Sequence, residues 1–355
     1  AVVFVVAFLR PGWIVGHPVV VLVLLFGVSL CAAAALIQAD PPGIDLRIDP
    51  STEPLLPTGD PAQDLYRRAV VDFGDDEVYV VAVECAEVFT TSCLSVIQQI
   101  THRVARMEGV RSVGSLLDVT SFRYEADSDW VVIQPFIEDI PTEAAELELL
   151  RLRALNDPVY RRTLVSDDSR AAAINVRFRR MTDAEFIAED FDGRIRAIVE
   201  EEVGDEIQFH IAGRPHIKVH VYHGMLHDLG LLIPLSVIVM AGILWVFTGG
   251  RRGVIIPLAT ASMANLWTFG AMAAFDFALN LLTGLLGPML LALGSVYGVH
   301  VLSRYEEEAE TSVDSATAAQ RCLEHVIVPV LIAGFTTAMG FGALLITDVP
   351  AVFEL

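Results

Sequence analysis

Five long apolar runs, separated by polar breaks, dominate the pattern of hydrophobic and polar positions. A membrane-spanning helix needs about 20 predominantly apolar residues. The runs of roughly that length are Val19–Ile37, Leu229–Phe247, Val254–Phe275, Phe277–Leu302 and Val326–Ile346. Ala1–Leu9 is apolar but too short to span, so we expect an interfacial or packing helix there. The pattern predicts an α-helical polytopic membrane protein with five transmembrane helices in this chain.

A cleaved signal peptide is the alternative for the first run, Val19–Ile37. Its apolar core is long for a signal peptide, and no Lys or Arg immediately precedes it, which favours a membrane anchor. The chain begins without Met and stops just after the fifth run. We therefore expect it to be a fragment of a longer protein.

The region between the first and second runs has the pattern of a folded domain. The stretches typical of strands are Val78–Glu84, Val110–Leu117, Ala171–Phe178 and Glu206–Ala212. Helical patterns with capping residues follow the first and third of these, over Thr90–Met107 and Asp183–Val203. The order β-α-β, an insertion, and β-α-β predicts an α+β domain of the ferredoxin-like type. The proline-rich segment Pro41–Pro61 is expected to lie extended against its surface.

The net charge is strongly acidic and unevenly distributed. With 24 Lys and Arg against 45 Asp and Glu the net charge is −21, yet the mean hydropathy is +0.53. Both values hold because most acidic residues lie between positions 40 and 228, while the apolar runs are nearly uncharged. An acidic chain without clusters of Lys or Arg argues against nucleic acid as a partner.

Arginines near the ends of the apolar runs set the expected orientation. If the five spans alternate, one side carries Arg10, Arg251, Arg252, Arg304 and Arg321. The short opposite connection holds Asp276 and neither Lys nor Arg. The positive-inside rule then places these arginines in the cytoplasm and the large domain outside. We expect a multi-pass protein of the cytoplasmic, or inner, membrane with residues 39–227 on the exterior, or periplasmic, side.

The expected organisation follows from these spans. It comprises a cytoplasmic or interfacial segment (1–12), the first span (13–38), the exterior ferredoxin-like domain (39–227), three further spans (228–248, 253–275 and 277–303), a cytoplasmic amphipathic helix (304–324), the fifth span (325–347) and the start of an exterior loop (348–355). The amphipathic helix has apolar residues along one side and is expected to lie on the membrane surface.

The stretch Leu291–Glu308 places polar side chains within and at the end of the fourth span. Tyr297, His300 and Arg304 follow i, i+3, i+7 and share one helix face, and Ser295 lies close by in sequence. Polar side chains in an apolar span are costly, so they usually face a protein interior or a water-filled path. These four residues are the candidates for a proton relay or transport site. Hydrogen bonding to neighbouring spans is the alternative role.

A row of histidines precedes the second span. Its members, at i, i+4, i+7 and i+11, are His216, His220, His223 and His227. On a helix they form one stripe, and His pairs at i, i+4 can bind Zn²⁺ or a similar metal. One straight helix cannot surround an ion with four imidazoles, so outside ligands such as Asp228 or His210 would be needed. A stripe that faces lipid headgroups or senses pH is the alternative.

The four cysteines fall in different compartments of the expected topology. Cys85 and Cys93 lie outside, where a disulfide is permitted, and the sequence leaves a disulfide and two unpaired thiols equally open. Cys31, within a span, and Cys322, in the cytoplasmic segment, are expected to be free.

Sequence motifs of enzymes are absent. The chain has no G-x-S-x-G, no H-E-x-x-H, no phosphate-binding loop and no dinucleotide fingerprint. We therefore expect a protein that is not an enzyme and takes no cofactor. Any energy for transport would come from an ion gradient or a partner.

Small residues recur at helical spacing in the last two spans. Gly294 and Gly298 do so in the fourth span, and Gly334, Ala338 and Gly342 do so in the fifth. Such small-xxx-small faces let helices approach closely.

Several short motifs resemble a known family when taken together. They are Leu55-Leu56-Pro57 with Asp60-Pro61, Phe73-Gly74-Asp75-Asp76-Glu77, Asn156-Asp157-Pro158-Val159-Tyr160, Leu164-Val165-Ser166-Asp167-Asp168, Ala212-Gly213-Arg214-Pro215 and Gly294–Glu308. With the order of spans and exterior domain, they resemble the N-terminal half of a resistance–nodulation–division (RND) permease. The closest likeness is to the MmpL-type, or predicted exporter, branch, which is related to sterol-sensing and Patched-like proteins. The resemblance implies an exterior porter domain, a missing sixth span and a missing C-terminal half.

The chain departs from this family in the fourth span. Many relatives carry an Asp-Tyr pair there, and the carboxylate takes part in proton coupling, whereas this chain has Val296 before Tyr297. Histidine is the side chain typical of proton transfer near neutral pH, which tyrosine is not, so His300 is the better proton-carrying candidate. The resemblance implies a proton-driven exporter or trafficking permease for a hydrophobic or amphiphilic substrate such as a lipid. The alternative, which the loss of the carboxylate favours, is a lipid- or sterol-sensing protein that signals without transport.

The expected partners follow from this resemblance. They are membrane lipids or other hydrophobic small molecules, the C-terminal half of the same protein and a second copy in a homo-oligomer.

Overall fold

The structure is a computed structural model that describes residues 11–39, 42–44, 46–73, 77–125, 130–204 and 207–353. The predicted short helix Ala1–Leu9 lies outside the described residues. The chain divides into two compact units. We call Ala1–Asp64 with Tyr222–Leu355 the membrane unit, and Leu65–Val221 the α/β unit.

The helices, in chain order, are α1 (Pro11–Gly16), α2 (Pro18–Ala35), α3 (Pro61–Phe73), α4 (Thr91–Ala105), α5 (Ala144–Asn156), α6 (Asp183–Ala188), α7 (Phe191–Glu202), α8 (Arg214–Thr248), α9 (Arg251–Ala274), α10 (Leu286–Thr311), α11 (Ser315–Leu344) and α12 (Pro350–Phe353). The strands are β1 (Ile37–Ala39), β2 (Pro42–Ile44), β3 (Tyr79–Glu84), β4 (Val110–Gly114), β5 (Thr120–Glu125), β6 (Trp130–Pro135), β7 (Ala171–Phe178) and β8 (Gln208–Ala212).

Five of these helices are long and apolar enough to cross a membrane: α2, α8, α9, α10 with the short 3₁₀ turn before it, and α11. They correspond to the five spans predicted from the apolar runs, with one correction. The fourth was predicted to begin at Phe277 but begins at Thr283, because Leu279 forms backbone hydrogen bonds with Arg47 and Asp49 in the connection before it. Within the membrane unit α2 packs on α9, α9 on α10, and α10 on α11. The indole of Trp267 on α9 donates a hydrogen bond to Ser29 Oγ on α2 over 3.0 Å.

Glycines on α9 and α10 allow the closest contacts between these helices. A Cβ atom at Gly294 would lie 3.0 Å from Ala261 Cα, and one at Gly270 would lie 2.7 Å from Ala32 Cα. The small face predicted on α10 is therefore a packing face. On α11, by contrast, a Cβ atom at Gly334 or Gly342 would have no described neighbour within 4 Å. The small face predicted on α11 has no helix packed against it among the described residues, and its role stays a prediction.

The chain segment after α2 is bound to connections between the later spans. Leu279 donates its amide to Arg47 O over 2.7 Å and accepts from the Asp49 amide over 2.9 Å, and the Arg47 guanidinium pairs with Asp276. Thr58 likewise donates its amide to Asp348 O. The expectation that this proline-rich segment lies on the exterior domain is thus corrected, because these bonds hold it to the membrane unit. These bonds also hold together the segments that follow the first, third and fifth spans.

The core of the α/β unit is a four-stranded sheet with the strand order β4-β7-β3-β8, antiparallel throughout. Alternate residues of β3, namely Tyr79, Val81 and Val83, are fully buried. They join one hydrophobic cluster with residues of α4 and α7, which pack against each other. The insertion between β4 and β7 adds the hairpin β5–β6 and helix α5.

Local capping explains where the helices of this unit begin. Thr90 caps α4 by accepting a hydrogen bond from the Cys93 amide. Thr182 and Glu185 form a capping box at α6. The single helix predicted over Asp183–Val203 is wrong, because Asp190 adopts a left-handed conformation (φ 49°) and its side chain caps a new helix at Gly193 N.

The separate amphipathic helix expected over 304–324 is also not observed. Helix α10 continues to Thr311, and α11 begins at Ser315 after a break. The reason lies in Asp314, whose carboxylate accepts the Thr317 amide over 2.7 Å and starts α11 at this point. The polar segment is therefore divided between the ends of two long helices.

Candidate functional site

The predicted polar face of α10 is only partly assembled. Tyr297 Oη lies 3.2 Å from Thr337 Oγ1 on α11. Because the Thr337 hydroxyl donates to Ala333 O over 2.9 Å, the tyrosine is the donor in the contact between the two helices. Tyr297 thus links two candidate spans by a hydrogen bond, as the structural alternative for this residue expects.

His300 has no such partner. Its side chain is exposed and forms no hydrogen bond or ion pair with any residue that the structure describes. It lies one turn from Tyr297 along α10, and no contact joins the two side chains within the described chain. The sequence pattern placed His300 and Tyr297 on one face, but the structure does not connect them into a relay.

Arg304 is held by carboxylates of its own helix. Its two terminal nitrogens donate to Glu307 Oε2 and Glu308 Oε1, each over 2.7 Å. Glu308 is largely buried, and His325 of α11 lies 3.9 Å from it. Arg304 therefore neutralises a buried carboxylate next to the α10–α11 break.

The remaining two positions of this helix differ sharply in burial. Ser295 is 1% exposed and donates its hydroxyl to Ala292 O of the preceding turn over 2.9 Å, so its hydrogen-bonding needs are met locally. Val296, which stands where the resemblance implies a carboxylate, is 52% exposed. No described residue supplies a buried acid beside it.

The histidine stripe lies on α8, and its first two members belong to the α/β unit. His216 Nδ1 lies 2.5 Å from Asp192 Oδ1, a residue in the first turn of α7. The same oxygen accepts the hydroxyl of Tyr79 over 2.9 Å. Burial, and next the adjacent Asp192 carboxylate, raises the pKa of Tyr79 above its ordinary value, so the phenol stays protonated and donates.

His220 joins this group from one turn further along α8. Ligand atoms of Asp192, His216 and His220 all lie within 4.8 Å of one another. His223 and His227 are not members of this group, and the outside ligands suggested by the sequence are not the ones found. His210 lies 3.7 Å from Glu84 instead. Sequence reasoning missed Asp192 because it precedes His216 by 24 residues and has no motif around it.

A cavity of about 230 Å³ opens elsewhere in the α/β unit. Apolar and aromatic side chains form much of its wall, including Phe178, Met181 and Phe186. Cationic side chains on the wall are Arg111, Arg179, Arg180 and Lys218. Lys218 is neutralised by Glu77 and Asp183, at 2.5 and 2.8 Å.

The three arginines of this cavity form no ion pair with any residue that the structure describes. Arg111 lies at an irregularity of the β4–β7 ladder, where Val110 pairs with Phe178 and Ser112 with Arg177. Such a bulge redirects a side chain. Neither the bulge nor the cavity was predicted from the sequence.

The structure joins Cys85 and Cys93 in a disulfide between the end of β3 and the start of α4. Both cysteines belong to the hydrophobic core of the α/β unit. Cys31 and Cys322 are free, and the Cys322 thiol lies 3.4 Å from Val301 O.

Two comparisons relate this chain to known proteins. The MMPL family model matches residues 62–355, which include the α/β unit and helices α8 to α11. The chain belongs to the MMPL family. A protein of Methanocaldococcus jannaschii that is named as a membrane protein is 22% identical over 314 residues, covering 85% of this chain and 77% of that protein. This MMPL chain is therefore a multi-pass membrane protein of the RND-type permease kind.

Proposed function

We propose that this MMPL protein exports or moves a hydrophobic or amphiphilic molecule, such as a lipid, and is driven by the proton gradient. The observation that carries the proposal is the insertion of a folded α/β unit between the first two of five candidate spans, within a chain that matches the MMPL family. The unit would serve as a porter domain that receives the substrate from the membrane.

The strand order supports the porter assignment. Numbered within the sheet by their order in the chain, the strands lie as 2-3-1-4, with α4 and α7 connecting the first to the second and the third to the fourth. A β-α-β, insertion, β-α-β chain with this antiparallel order is what a ferredoxin-like domain requires. We propose that residues 65–221 form such a domain on the exterior face of the cytoplasmic membrane.

The cavity of the α/β unit supports an amphiphilic substrate. Phe178, Met181 and Phe186 offer an apolar surface, and Arg111, Arg179 and Arg180 line the same cavity without a described ion pair. Arginine binds carboxylate or phosphate oxygens through paired hydrogen bonds. An acyl group with an anionic headgroup matches both properties. A cluster of three arginines is unusual in a protein whose net charge is −21.

Several further features are part of this proposal. The protein would act without enzymatic chemistry, would lie in the cytoplasmic membrane, and would function together with a C-terminal half or as a homo-oligomer. Arg10, Arg251 and Arg252 would then face the cytoplasm. Hydrogen bonds from Leu279 and Thr58 bring the ends of alternate spans together, which supports this threading of the chain.

The proton step is assigned to α10. His300 would carry the proton and Tyr297 would fix α10 against α11 through Thr337. Exposure of His300 leaves its imidazole free to meet water or a further part of the protein.

The test uses the protein in proteoliposomes with a fluorescent anionic lipid and an imposed pH gradient. We expect gradient-dependent movement of the lipid in the wild type and its loss in His300→Ala, with partial loss in Tyr297→Phe. His102→Ala, which alters an exposed histidine on α4, is the matched control and should behave as the wild type. Unchanged transport in both α10 variants would refute proton coupling through these residues.

A lipid- or sterol-sensing protein without transport is the second candidate. It is favoured by Val296, which lacks the carboxylate that proton coupling needs, and by the absence of any described partner for His300. A sensing protein would bind the lipid with the same affinity whether or not a pH gradient is imposed, and it would move none across the bilayer. The same proteoliposomes therefore distinguish the two functions.

A further inference from the structure

Two helices of the α/β unit bring three metal-binding side chains to one point. Asp192 comes from the first turn of α7, and His216 and His220 come from successive turns of α8. Their potential ligand atoms all lie within 4.8 Å of one another, a spacing that one ion could bridge after small side-chain rotations. The proposed transport function uses none of these residues.

The helix supplies the two imidazoles in a suitable arrangement. Residues at i and i+4 lie one above the other on a helix, and the ring centroids of His216 and His220 are 4.2 Å apart. His220 Nδ1 lies 3.2 Å from His216 O, so its N–H donates to this carbonyl and Nε2 keeps a free lone pair. A backbone carbonyl that fixes the tautomer of a ligand histidine in this way is typical of metal sites.

The surroundings of the Asp192 carboxylate also suit a metal ligand. Asp192 is 7% exposed, and its Oδ1 accepts a hydrogen bond from the fully buried Tyr79. A buried carboxylate is costly unless a cation or hydrogen-bond donors compensate its charge. Tyr79 and His216 supply the two donors, both to Oδ1. A bound ion would take the place of the His216 proton between the imidazole and the carboxylate. The hydrogen bond from Tyr79 would keep the Asp192 carboxylate in place when an ion binds.

We propose that Asp192, His216 and His220 form a binding site for a divalent transition metal, best matched by Zn²⁺. Two imidazole nitrogens and one carboxylate oxygen are ligands that Zn²⁺ accepts in three-ligand sites, with a fourth position left for water or another oxygen ligand. Mg²⁺ and Ca²⁺ prefer oxygen ligands throughout and fit less well. His220 is exposed, so an ion reaches the site directly from solvent.

The site would join two elements that are distant in sequence. Its carboxylate belongs to α7 and its imidazoles to the start of α8, both within the α/β unit. Metal binding would therefore fix the first two turns of α8 to the body of this unit. Only part of the histidine row takes part, because His223 and His227 are not members of the cluster.

The experiment measures Zn²⁺ bound to the full chain in detergent. Protein stripped with a chelator is incubated with Zn²⁺, separated from free ion, and analysed for metal content and for affinity by calorimetry. We expect one equivalent per chain in the wild type. His220→Ala should weaken binding by about tenfold or more, since it removes one of three ligands. His227→Ala, on the same helix but outside the cluster, is the matched control and should bind as the wild type.

Asp192→Asn tests the carboxylate. It should weaken Zn²⁺ binding as His220→Ala does, and circular dichroism would report whether this more buried position still permits folding. Because His220 is exposed, its variant keeps the test decisive even if Asp192→Asn fails to fold. The proposal is overturned if the wild type binds no stoichiometric Zn²⁺, if His220→Ala binds it as well as the wild type, or if His227→Ala loses as much.

Discussion

Gly298 of α10 lies directly against Pro257 of α9, so that a Cβ atom at position 298 would be 2.6 Å from Pro257 Cα. One turn earlier, a Cβ atom at Gly294 would lie 3.0 Å from both Cα and Cβ of Ala261. The two helices therefore touch through backbone atoms, as small-xxx-small faces allow. Neither contact leaves room for a larger side chain without displacement of one helix.

Gly298→Ala should destabilise the packing of α9 on α10. Overpacking of this kind costs about 1–3 kcal/mol, and the rigid backbone of Pro257 cannot move aside as a flexible side chain would. The measurement is thermal unfolding of the purified protein in detergent. Gly334→Ala on α11, where a Cβ atom has no described neighbour within 4 Å, is the control and should unfold as the wild type. Equal destabilisation by both variants would contradict the packing described here.

Gly213→Ala should destabilise the α/β unit for a different reason. Gly213 has φ of +113°, and a Cβ atom there would lie 2.1 Å from Val78 O. An L-residue in this backbone region costs about 1–3 kcal/mol, and the clash adds to that. Gly204→Ala, where a Cβ atom has no described neighbour within 4 Å and φ is not positive, provides the control. Hydrogen exchange of the β3 and β8 amides should increase in the first variant and stay unchanged in the second.

Loss of the Cys85–Cys93 disulfide should weaken the α/β unit moderately. The bond closes a loop with a sequence separation of 8, for which chain entropy predicts about 2–3 kcal/mol of stabilisation. The double variant Cys85→Ala/Cys93→Ala should therefore unfold at lower temperature than the wild type under oxidising conditions. Under reducing conditions the difference should shrink. Cys31→Ala, which removes an exposed free thiol, should have no comparable effect.

The arginines of the cavity should contribute to binding of anionic amphiphiles. Arg111→Gln and Arg180→Gln each remove a guanidinium that no described carboxylate neutralises, so each should weaken binding of an anionic fatty acid or phospholipid several-fold. Arg177→Gln changes an exposed arginine on the neighbouring strand β7 that does not line the cavity. Affinity is measured by fluorescence titration at two salt concentrations. It should distinguish the two cavity variants, which bind the amphiphile more weakly, from the control Arg177→Gln. A uniform loss in all three variants would indicate only a general effect of charge.

The parts of the fold that depend on local pattern were predictable from the sequence. The five spans follow from runs of apolar residues, and β7 begins and ends where its alternation of residues predicts, at Ala171 and Phe178. The break at Asp190 was missed because the helical pattern of residues continues through it. The first helix ends there because the Asp190 backbone is left-handed, and the Asp190 side chain accepts the Gly193 amide and starts the next helix. Sequence patterns record periodicity but not such a change of hydrogen-bond partner.

The candidate sites were less predictable because their residues meet through tertiary contacts. Helical spacing placed His216 and His220 together, but it could not indicate Asp192, which meets His216 only through a tertiary contact between α7 and the start of α8. In the same way, spacing placed Tyr297 beside His300, whereas its partner in the structure is Thr337. A one-dimensional period gives the neighbours on one helix and leaves those on the next helix undetermined.

The two backbone hydrogen bonds at Leu279 restrict how α9 and α10 can move. Leu279 lies in the connection between these helices, where its amide and carbonyl are bound to Arg47 and Asp49 on a separate segment. A shift of either helix along its axis would break both bonds together and leave polar backbone groups unpaired. A tilt about Leu279 keeps both. We therefore expect any movement of α9 and α10 to be smallest at this connection and largest at the opposite ends of the two helices.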